Sequence, residues 1–255
     1  MSKLLKRGNM LTLDRGNSAL KADVWKDDEI VETVVMPPAC IRRQLKALTA
    51  RHELEGAIYC SVTDDGSQIS EVLEEAGVHL HIMTSDLPLP MKIDYGSKGT
   101  LGVDRIAGSL GAMSLFPGKE LLVIDLGTAI TYDRVTSDGR FIGGNIAPGV
   151  SLRLKSLNAF TARLPKVELD GPVPQWGYNT DTALRSGSIM GIAAEVHFYR
   201  SLLPDNSIIV LTGGSAPRIA PHLNFEYVLE PHLVTIGLKA CLNIIVDNLM
   251  SVTCK

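Results

Sequence analysis

The chain has 255 residues, of which 45% are apolar and 5% aromatic, and a formal net charge of −3. This length allows one large domain or two moderate ones, and the charge gives no electrostatic basis for binding nucleic acid or a membrane surface. No apolar run approaches the roughly 20 residues that span a bilayer, and the basic leader, residues 1–9, lacks the apolar region of a signal peptide. Cys40, Cys60, Cys241 and Cys254 show no C-x-x-C spacing, which predicts free thiols in a cytoplasmic protein.

The first half of the chain alternates predicted strands with predicted helices. Runs of apolar residues predict strands over residues 10–13, 20–25, 30–36, 57–62 and 78–83. Helices are expected from Pro37-Pro38 to about Leu54 and from Ser67 to Ala76. An irregular segment, residues 84–100, leads into a helix over residues 101–116.

Two histidines, His79 and His81, share one face of the last of these strands, which raises the possibility of a metal pair. No third ligand stands at a recognisable spacing from them, so the sequence disfavours a metal site at this pair.

A β-hairpin over residues 121–144 is the most informative stretch. An apolar run ends on Asp125, turns through Gly127 and Thr128, and continues as a second strand-like run over residues 130–135. A carboxylate, a glycine that lets the backbone approach a ligand, and a hydroxyl together suit phosphate oxygens and a cation. An ordinary hairpin with turn residues is the competing interpretation.

The same pattern occurs a second time near the start of the chain. Residues 11–24 overlay residues 122–135 without a gap, so that Asp14 falls on Asp125, Gly16 on Gly127 and Asn17 on Thr128. A repeated strand–Asp-x-Gly–strand unit predicts a duplicated domain with one phosphate-facing hairpin in each half.

Behind the central hairpin the pattern remains α/β. A tight connection, residues 143–149, is expected to lead into a helix over residues 150–164, and Asn179-Thr180 to cap a long helix to about Leu203. Further predicted elements are a loop at residues 165–178, strands at 208–211 and 225–229, a Thr-Gly-Gly turn at 212–214, and a closing helix at 234–249. We therefore expect two α/β halves, residues 1–115 and 116–255.

Two such hairpins are a hallmark of the acetate and sugar kinase, heat-shock chaperone and actin superfamily, which this chain resembles. The resemblance implies duplicated actin-like (ribonuclease H-like) halves, each a mixed sheet with flanking helices, and a nucleotide cleft. Within that superfamily the chain resembles the type III pantothenate kinases over nearly its whole length. The matching motifs are Asp14-x-Gly16-Asn17-Ser18-x-x-Lys21, Gly102-x-Asp104-Arg105, Asp125-x-Gly127-Thr128-Ala129, Gly143 to Gly149, Asn179-Thr180, and Thr212 to Gly214.

The resemblance implies ATP-dependent phosphorylation of pantothenate to 4'-phosphopantothenate, the first step of coenzyme A biosynthesis, by a homodimer. It assigns nucleotide binding to Asp14, Arg15, Gly16, Asn17, Ser18, Ala19, Leu20, Lys21, Thr128, Gly213 and Gly214. It assigns magnesium, held through water, to Asp14 and a monovalent cation (potassium or ammonium) to Asp125. Pantothenate binding falls to Tyr95, Gly102, Val103, Asp104, Arg105 and Thr180, with Asp104 as the catalytic base.

Several alternatives remain at this point. Asp104 in the first turn of a helix could be only a cap, with Arg105 as its exposed neighbour. The chain could be another small-molecule kinase of the superfamily, or a non-catalytic accessory protein of transcription with the same fold. A P-loop kinase is excluded, because G-x-x-x-x-G-K-[ST] does not occur. Arg15 departs from the family pattern, which usually has an apolar residue there.

Overall fold

A computed structural model describes residues 8–64 and 66–253, with side chains to residue 246. Most of the leader, residues 1–7, and Cys254 therefore lie outside the described residues. Within the described part, no helix has the length and apolar character needed to cross a bilayer. The contacts divide the chain into two units, one of residues up to Leu115 plus those from Leu233 onward, the other Phe116–His232.

The first unit is built on a five-stranded sheet in the order β3-β2-β1-β4-β5. Its strands are β1 (Asn9–Arg15), β2 (Leu20–Lys26), β3 (Glu29–Met36), β4 (Leu54–Ser61) and β5 (Leu80–Ile82). The first three are antiparallel neighbours, whereas β4 runs parallel to both β1 and β5. A two-residue strand, β6 (Lys92–Ile93), follows in the segment that was expected to be irregular.

Alternate strand residues point to opposite faces of this sheet, and helices cover both faces. The helices are α1 (Ile41–Thr49), α2 (Ser67–Glu75), α3 (Val103–Leu115) and α7 (Leu233–Thr253). Leu11 and Leu13 join a buried cluster with residues of α1 and α2. On the opposite face of the sheet, the buried carboxylate of Asp23 accepts hydrogen bonds from Thr33 and from Thr235 of α7.

The second unit has strands in the order β11-β10-β7-β8-β9. Its elements are β7 (Leu121–Leu126), β8 (Ala129–Val135), β9 (Arg140–Pro148), α4 (Val150–Phe160), α5 (Thr180–Ser201), β10 (Ile208–Thr212), α6 (Ala216–Ile219) and β11 (Val228–Leu229). Alternate residues of β7, β8 and β10 form one buried cluster with α4, α5 and α6.

Both units have the same strand connectivity. In each, a three-stranded antiparallel meander is joined at its first strand by a parallel strand and then by one more, so 3-2-1-4-5 in the first unit corresponds to 9-8-7-10-11 in the second. Two units of the same connectivity, each a mixed sheet with flanking helices, confirm the predicted duplicated α/β fold.

The gapless overlay of the two hairpins is correct for their first strands and shifted by one residue in their second. Arg15 pairs with Leu20, but Leu126 pairs with Ile130, so the second turn is one residue shorter. As a result Asp23 corresponds to Asp133 rather than to Arg134, and both of these carboxylates are buried.

The closing helix α7 clusters with the first unit, although residues 116–255 were expected to form one half. The reason is its close crossing with α3, where a Cβ on Gly111 would overlap the carbonyl of Leu233, and one on Gly237 the carbonyl of Ala107. This approach of two backbones depends on glycine at both positions.

Candidate active site

The first hairpin turn follows β1 and is closed by a hydrogen bond of 3.1 Å from the Gly16 amide to the Ala19 carbonyl. Asn17 and Ser18 are exposed in it. Leu20 is fully buried in the core, so only its backbone is available to a nucleotide. Asp14 lies directly opposite Lys21 in the strand pairing, which places both side chains on one face of the sheet.

The N-terminus of α3 carries the Gly102-x-Asp104-Arg105 motif. Asp104 lies in the first turn, and its Oδ1 accepts a hydrogen bond of 2.9 Å from the Arg105 amide. A Cβ on Gly102 would overlap Asp104 Oδ1, so glycine is required for this carboxylate position. The helix N-terminus also favours a negative charge here.

Arg105 is buried, with 6% of its surface exposed, so the expectation of an exposed neighbour to a simple helix cap is wrong. Its guanidinium carbon lies 5.8 Å from the centre of the Tyr95 ring, in the range of a cation–π contact. The structure thus brings together two residues that the resemblance assigned to one pocket.

Asp14 and Asp104, ninety positions apart in the sequence, both act on the thiol of Cys60. Cys60 lies on β4 directly opposite Asp14 and is 1% exposed. Burial raises the pKa of the Cys60 thiol well above its usual value, and the charges of Asp14 and Asp104 raise that pKa further. The carboxylates of both acidic motifs of the first unit are therefore within electrostatic range of one buried thiol.

In the second unit, three glycine-containing segments meet at the end of β7. Asp125 lies opposite Thr212 in the strand pairing, and a Cβ on Gly213 would overlap Asp125 Oδ1. Gly213 has a φ of +87°, a conformation that glycine adopts without strain. The Gly149 amide donates to the Thr128 carbonyl at 2.9 Å, so the Gly143–Gly149 segment lies against the same turn.

The start of α5 holds Thr180. Asn179 caps this helix as expected, and it forms a reciprocal capping box with Thr182. Thr180 itself is exposed, as are Trp176 and Tyr178 just before it. Arg185 on the same helix fixes the preceding loop, since its guanidinium donates to the carbonyls of Glu168 and Pro172.

Oxygen donors that would suit cations are present, although among the described residues no three His, Cys, Asp or Glu side chains form a metal cluster. Asp14 and Asp125 are each partly exposed carboxylates at strand ends. Magnesium bound mainly through water and phosphate fits such a single carboxylate.

The rings of His79 and His81 pack edge to face, with centres 4.5 Å apart.

Sequence reasoning missed three residues around the first turn. Cys60 and Tyr59 lie on β4, in a run that reads as an ordinary buried strand, and Asp64 lies in the loop that follows. None of them belongs to a motif that carries a recognisable chemistry. Only the pairing of β4 with β1 brings them close to the first hairpin turn.

Solved structures place this fold in a known class. The crystal structure of a conserved protein from Campylobacter jejuni, named for a Baf family of transcriptional activators, matches with a TM-score of 0.62 at 20% identity over 93% of this chain and 99% of that one. The activator of the 2-hydroxyisocaproyl-CoA dehydratase from Clostridium difficile, with bound ADPNP, matches with a TM-score of 0.52 at 12% identity, over 94% and 97% of the two chains. The chain thus shares its overall fold with these two solved structures.

Sequence comparison identifies the family. The family model for type III pantothenate kinase matches residues 10–200. The type III pantothenate kinase of Porphyromonas gingivalis is 37% identical over 238 residues, which cover 91% of this chain and 97% of that relative. The chain belongs to the type III pantothenate kinase family. The neighbour named for transcriptional activators shares the fold only, so the accessory-protein alternative is not favoured.

Proposed function

We propose that the protein is a pantothenate kinase, which transfers the γ-phosphoryl group of ATP to the primary hydroxyl of pantothenate and forms 4'-phosphopantothenate and ADP. The observation that carries this proposal is the match of residues 10–200 to the type III pantothenate kinase family model. The structure adds that Asp14 lies opposite Cys60 on β4 and that the charge of Asp104 also raises the pKa of this thiol. A carboxylate assigned to the nucleotide's metal and a carboxylate assigned to the acceptor's proton would both have to lie near the transferred group. Family membership supports the choice of substrate.

In this mechanism Asp104 accepts the hydroxyl proton of pantothenate while the hydroxyl oxygen attacks the γ-phosphorus and ADP departs. Its hydrogen bond from the Arg105 amide holds the carboxylate in one orientation. Arg105, fixed beside Tyr95, is positioned to pair with the substrate carboxylate or another polar group, for which a planar guanidinium is well suited. Gly102, Val103 and Thr180 are assigned to the same substrate.

Charge neutralisation accounts for most of the catalysis in phosphoryl transfer. Lys21 and the turn amides of Gly16 to Ser18 are assigned to the nucleotide phosphates from the first hairpin, and Thr128, Gly213 and Gly214 from the second. Asp14 would hold magnesium through water, and the ion would supply positive charge to the β- and γ-phosphates. Arg15 and Leu20 lie within the nucleotide segment but would contribute through the backbone.

The test is an assay of purified protein with ATP and magnesium, in which ADP release and product mass are followed together. Release that depends on pantothenate, with a product heavier than pantothenate by one phosphoryl group, is expected. Pantothenate-independent release, or phosphorylation of a sugar in preference to pantothenate, would contradict the proposal. Running the same assay with N-acetylmannosamine and glucose addresses the alternative of another small-molecule kinase.

A monovalent cation at Asp125 is a further part of the proposal. Asp125 is a partly exposed carboxylate beside Gly213 in a turn assigned to phosphates, and a cation between a carboxylate and phosphate anions would offset their mutual repulsion. We expect higher turnover in potassium or ammonium than in sodium at constant magnesium. Equal rates in the three salts would argue against the site, as would an Asp125→Ala variant with an unchanged KM for ATP.

A cytoplasmic location stays a prediction. It is supported by the free thiols of Cys40, Cys60 and Cys241, since cytosolic proteins usually keep cysteines reduced.

A further inference from the structure

Arg15 is the last residue of β1, directly before the proposed phosphate turn, at a position where the family usually carries an apolar residue. Only 11% of its side chain is exposed, which is unusual for an arginine in a surface hairpin. Successive residues of a strand point to opposite faces. Because Asp14 faces Cys60, Arg15 points to the opposite face of the sheet, together with Tyr59 and Leu13.

On that face the guanidinium meets Asp64. Arg15 Nε lies 3.8 Å from Asp64 Oδ2. The Asp64 carboxylate also accepts hydrogen bonds from the Tyr59 hydroxyl, the Gly66 amide and the Thr63 hydroxyl. Burial alone would raise the pKa of the Asp64 carboxyl, but these hydrogen bonds and the charge of Arg15 hold the pKa below its usual value. Asp64 is thus a fixed anion anchored to the β4–α2 loop.

The other end of the guanidinium holds the turn backbone. Arg15 Nη1 donates a hydrogen bond of 2.7 Å to the Gly16 carbonyl oxygen. In a trans peptide the carbonyl and the following N–H point in opposite directions. Since the Gly16 carbonyl is drawn toward Arg15, the Asn17 N–H is turned to the other side.

This orientation matters for an anion. A phosphate oxygen is attracted by a backbone N–H and repelled by a carbonyl oxygen. A Gly16–Asn17 peptide turned the other way would present the carbonyl, and glycine and asparagine both tolerate such a change of backbone conformation. The guanidinium favours the orientation that can accept phosphate.

We propose that Arg15 is a positioning residue, which, anchored by Asp64 and Tyr59, holds the Gly16–Asn17 peptide with its N–H available to the nucleotide phosphates. The proposal rests on the proposed function only for the identity of the anion. It assigns Arg15 no direct phosphate contact, because the side chain points away from the Asp14 face.

The test compares four variants by calorimetric binding of Mg·ATP in the absence of pantothenate: Arg15→Met, Arg15→Lys, Asp64→Asn and the double variant Arg15→Met/Asp64→Asn. We expect Arg15→Met to weaken binding about tenfold, or about 1.4 kcal/mol, and Asp64→Asn about threefold. The double variant should bind like Arg15→Met, because Asp64 acts through Arg15. Arg42→Met, which removes exposed ion pairs to Glu71 and Glu75 in the same unit, serves as the matched control.

Arg15→Lys separates positioning from direct charge attraction. A lysine keeps the charge but lacks the planar fork that spans a carbonyl and a carboxylate, so we expect it to bind as weakly as Arg15→Met. Wild-type affinity in Arg15→Lys would overturn the proposal in favour of direct attraction, and wild-type affinity in Arg15→Met or Asp64→Asn would overturn it outright. In steady state, KM for ATP should rise while KM for pantothenate and kcat stay within about threefold.

The design also keeps the two proposals apart. If the wild type binds Mg·ATP but leaves pantothenate unmodified, the proposed function fails while the binding series still decides the role of Arg15. Thermal unfolding of each variant shows that binding is measured on folded protein. Tyr59→Phe is a further variant that leaves Arg15 intact, and we expect it to lower the affinity two- to threefold. If either Tyr59→Phe or Asp64→Asn binds like the wild type, the anchoring role is refuted.

Discussion

Asp104 has a structural role and a proposed chemical role at once. Its carboxylate accepts a hydrogen bond from the Arg105 amide, and it is the proposed base for the pantothenate hydroxyl. Replacing it with asparagine separates the two. The asparagine side chain would retain an oxygen that accepts from the amide and would remain suited to the first turn of a helix, but it would lose the proton acceptor. The Asp104→Asn variant therefore isolates the chemical role.

We predict that Asp104→Asn folds and binds pantothenate normally while kcat falls by roughly 10²-fold or more, about 3 kcal/mol in the barrier. A group that acts only in the transition state affects turnover without weakening ground-state binding. Steady-state turnover and calorimetric pantothenate binding are measured on one preparation. Asp28→Asn, in the exposed turn at the far end of β2, is the control. If turnover stays within threefold of the wild type, Asp104 acts only as a helix cap. If pantothenate binding alone is lost, Asp104 anchors the substrate and is not the base.

At the scale of elements, α3 carries Asp104 and is held in place by its crossing with α7. The two backbones approach at Gly111 and Gly237, and in this part of the core a single methyl group has no space. We predict that Gly237→Ala lowers the free energy of unfolding by about 1–3 kcal/mol, because the new Cβ must displace the Ala107 backbone. Urea denaturation measures the loss.

The matched control is Gly187→Ala in α5, where a Cβ would meet no atom within 4 Å. There the higher helix propensity of alanine should leave stability unchanged or raise it by up to about 1 kcal/mol. Equal stability of Gly237→Ala and the wild type would mean that α3 and α7 can shift apart, and the positioning of Asp104 by this crossing would then have no support.

The same elements show what the sequence could predict. The two Asp-x-Gly hairpins could be predicted because apolar strand runs and turn residues are local signals in the sequence. Their repetition in turn predicted the duplicated fold. The one-residue difference between the two turns was missed, because Val24 and Val135 are both buried valines and mask the shift. The predicted tight connection at residues 143–149 is largely strand, since β9 continues to Pro148 and its residues pair with β8.

The sequence also could not predict which elements and side chains pack against one another in three dimensions. The grouping of α7 with the first unit depends on backbone contacts at Gly111 and Gly237, and neither glycine differs in sequence context from an ordinary helix residue. The motifs named the residues of the site, but the contact of Arg105 with Tyr95 and the place of Cys60 beside Asp14 come from tertiary pairing.

At the scale of the whole molecule, a group of large apolar side chains of the second unit is exposed on the single chain. Phe160 is 87% exposed, Trp176 84% and Tyr178 71%, and Ile146 is also exposed. Aromatic residues are enriched at protein interfaces, where they commonly carry much of the binding energy. Trp176 and Tyr178 directly precede Thr180, which is assigned to the substrate. From these features and the family resemblance we propose a homodimer in which the second subunit completes the pantothenate pocket.

We predict that sedimentation gives a species of twice the 27.5 kDa chain mass at micromolar concentration. Phe160→Ser and Trp176→Ser should weaken the dimer by an order of magnitude or more in Kd, since large aromatic residues at interface centres commonly contribute about 2 kcal/mol or more. Val31→Ser, which removes an exposed apolar side chain from β3 of the first unit, should leave the dimer intact. If the partner completes the pocket, KM for pantothenate should rise as the variants dissociate, while Mg·ATP binding persists. A monomer that is fully active at nanomolar concentration would exclude this arrangement.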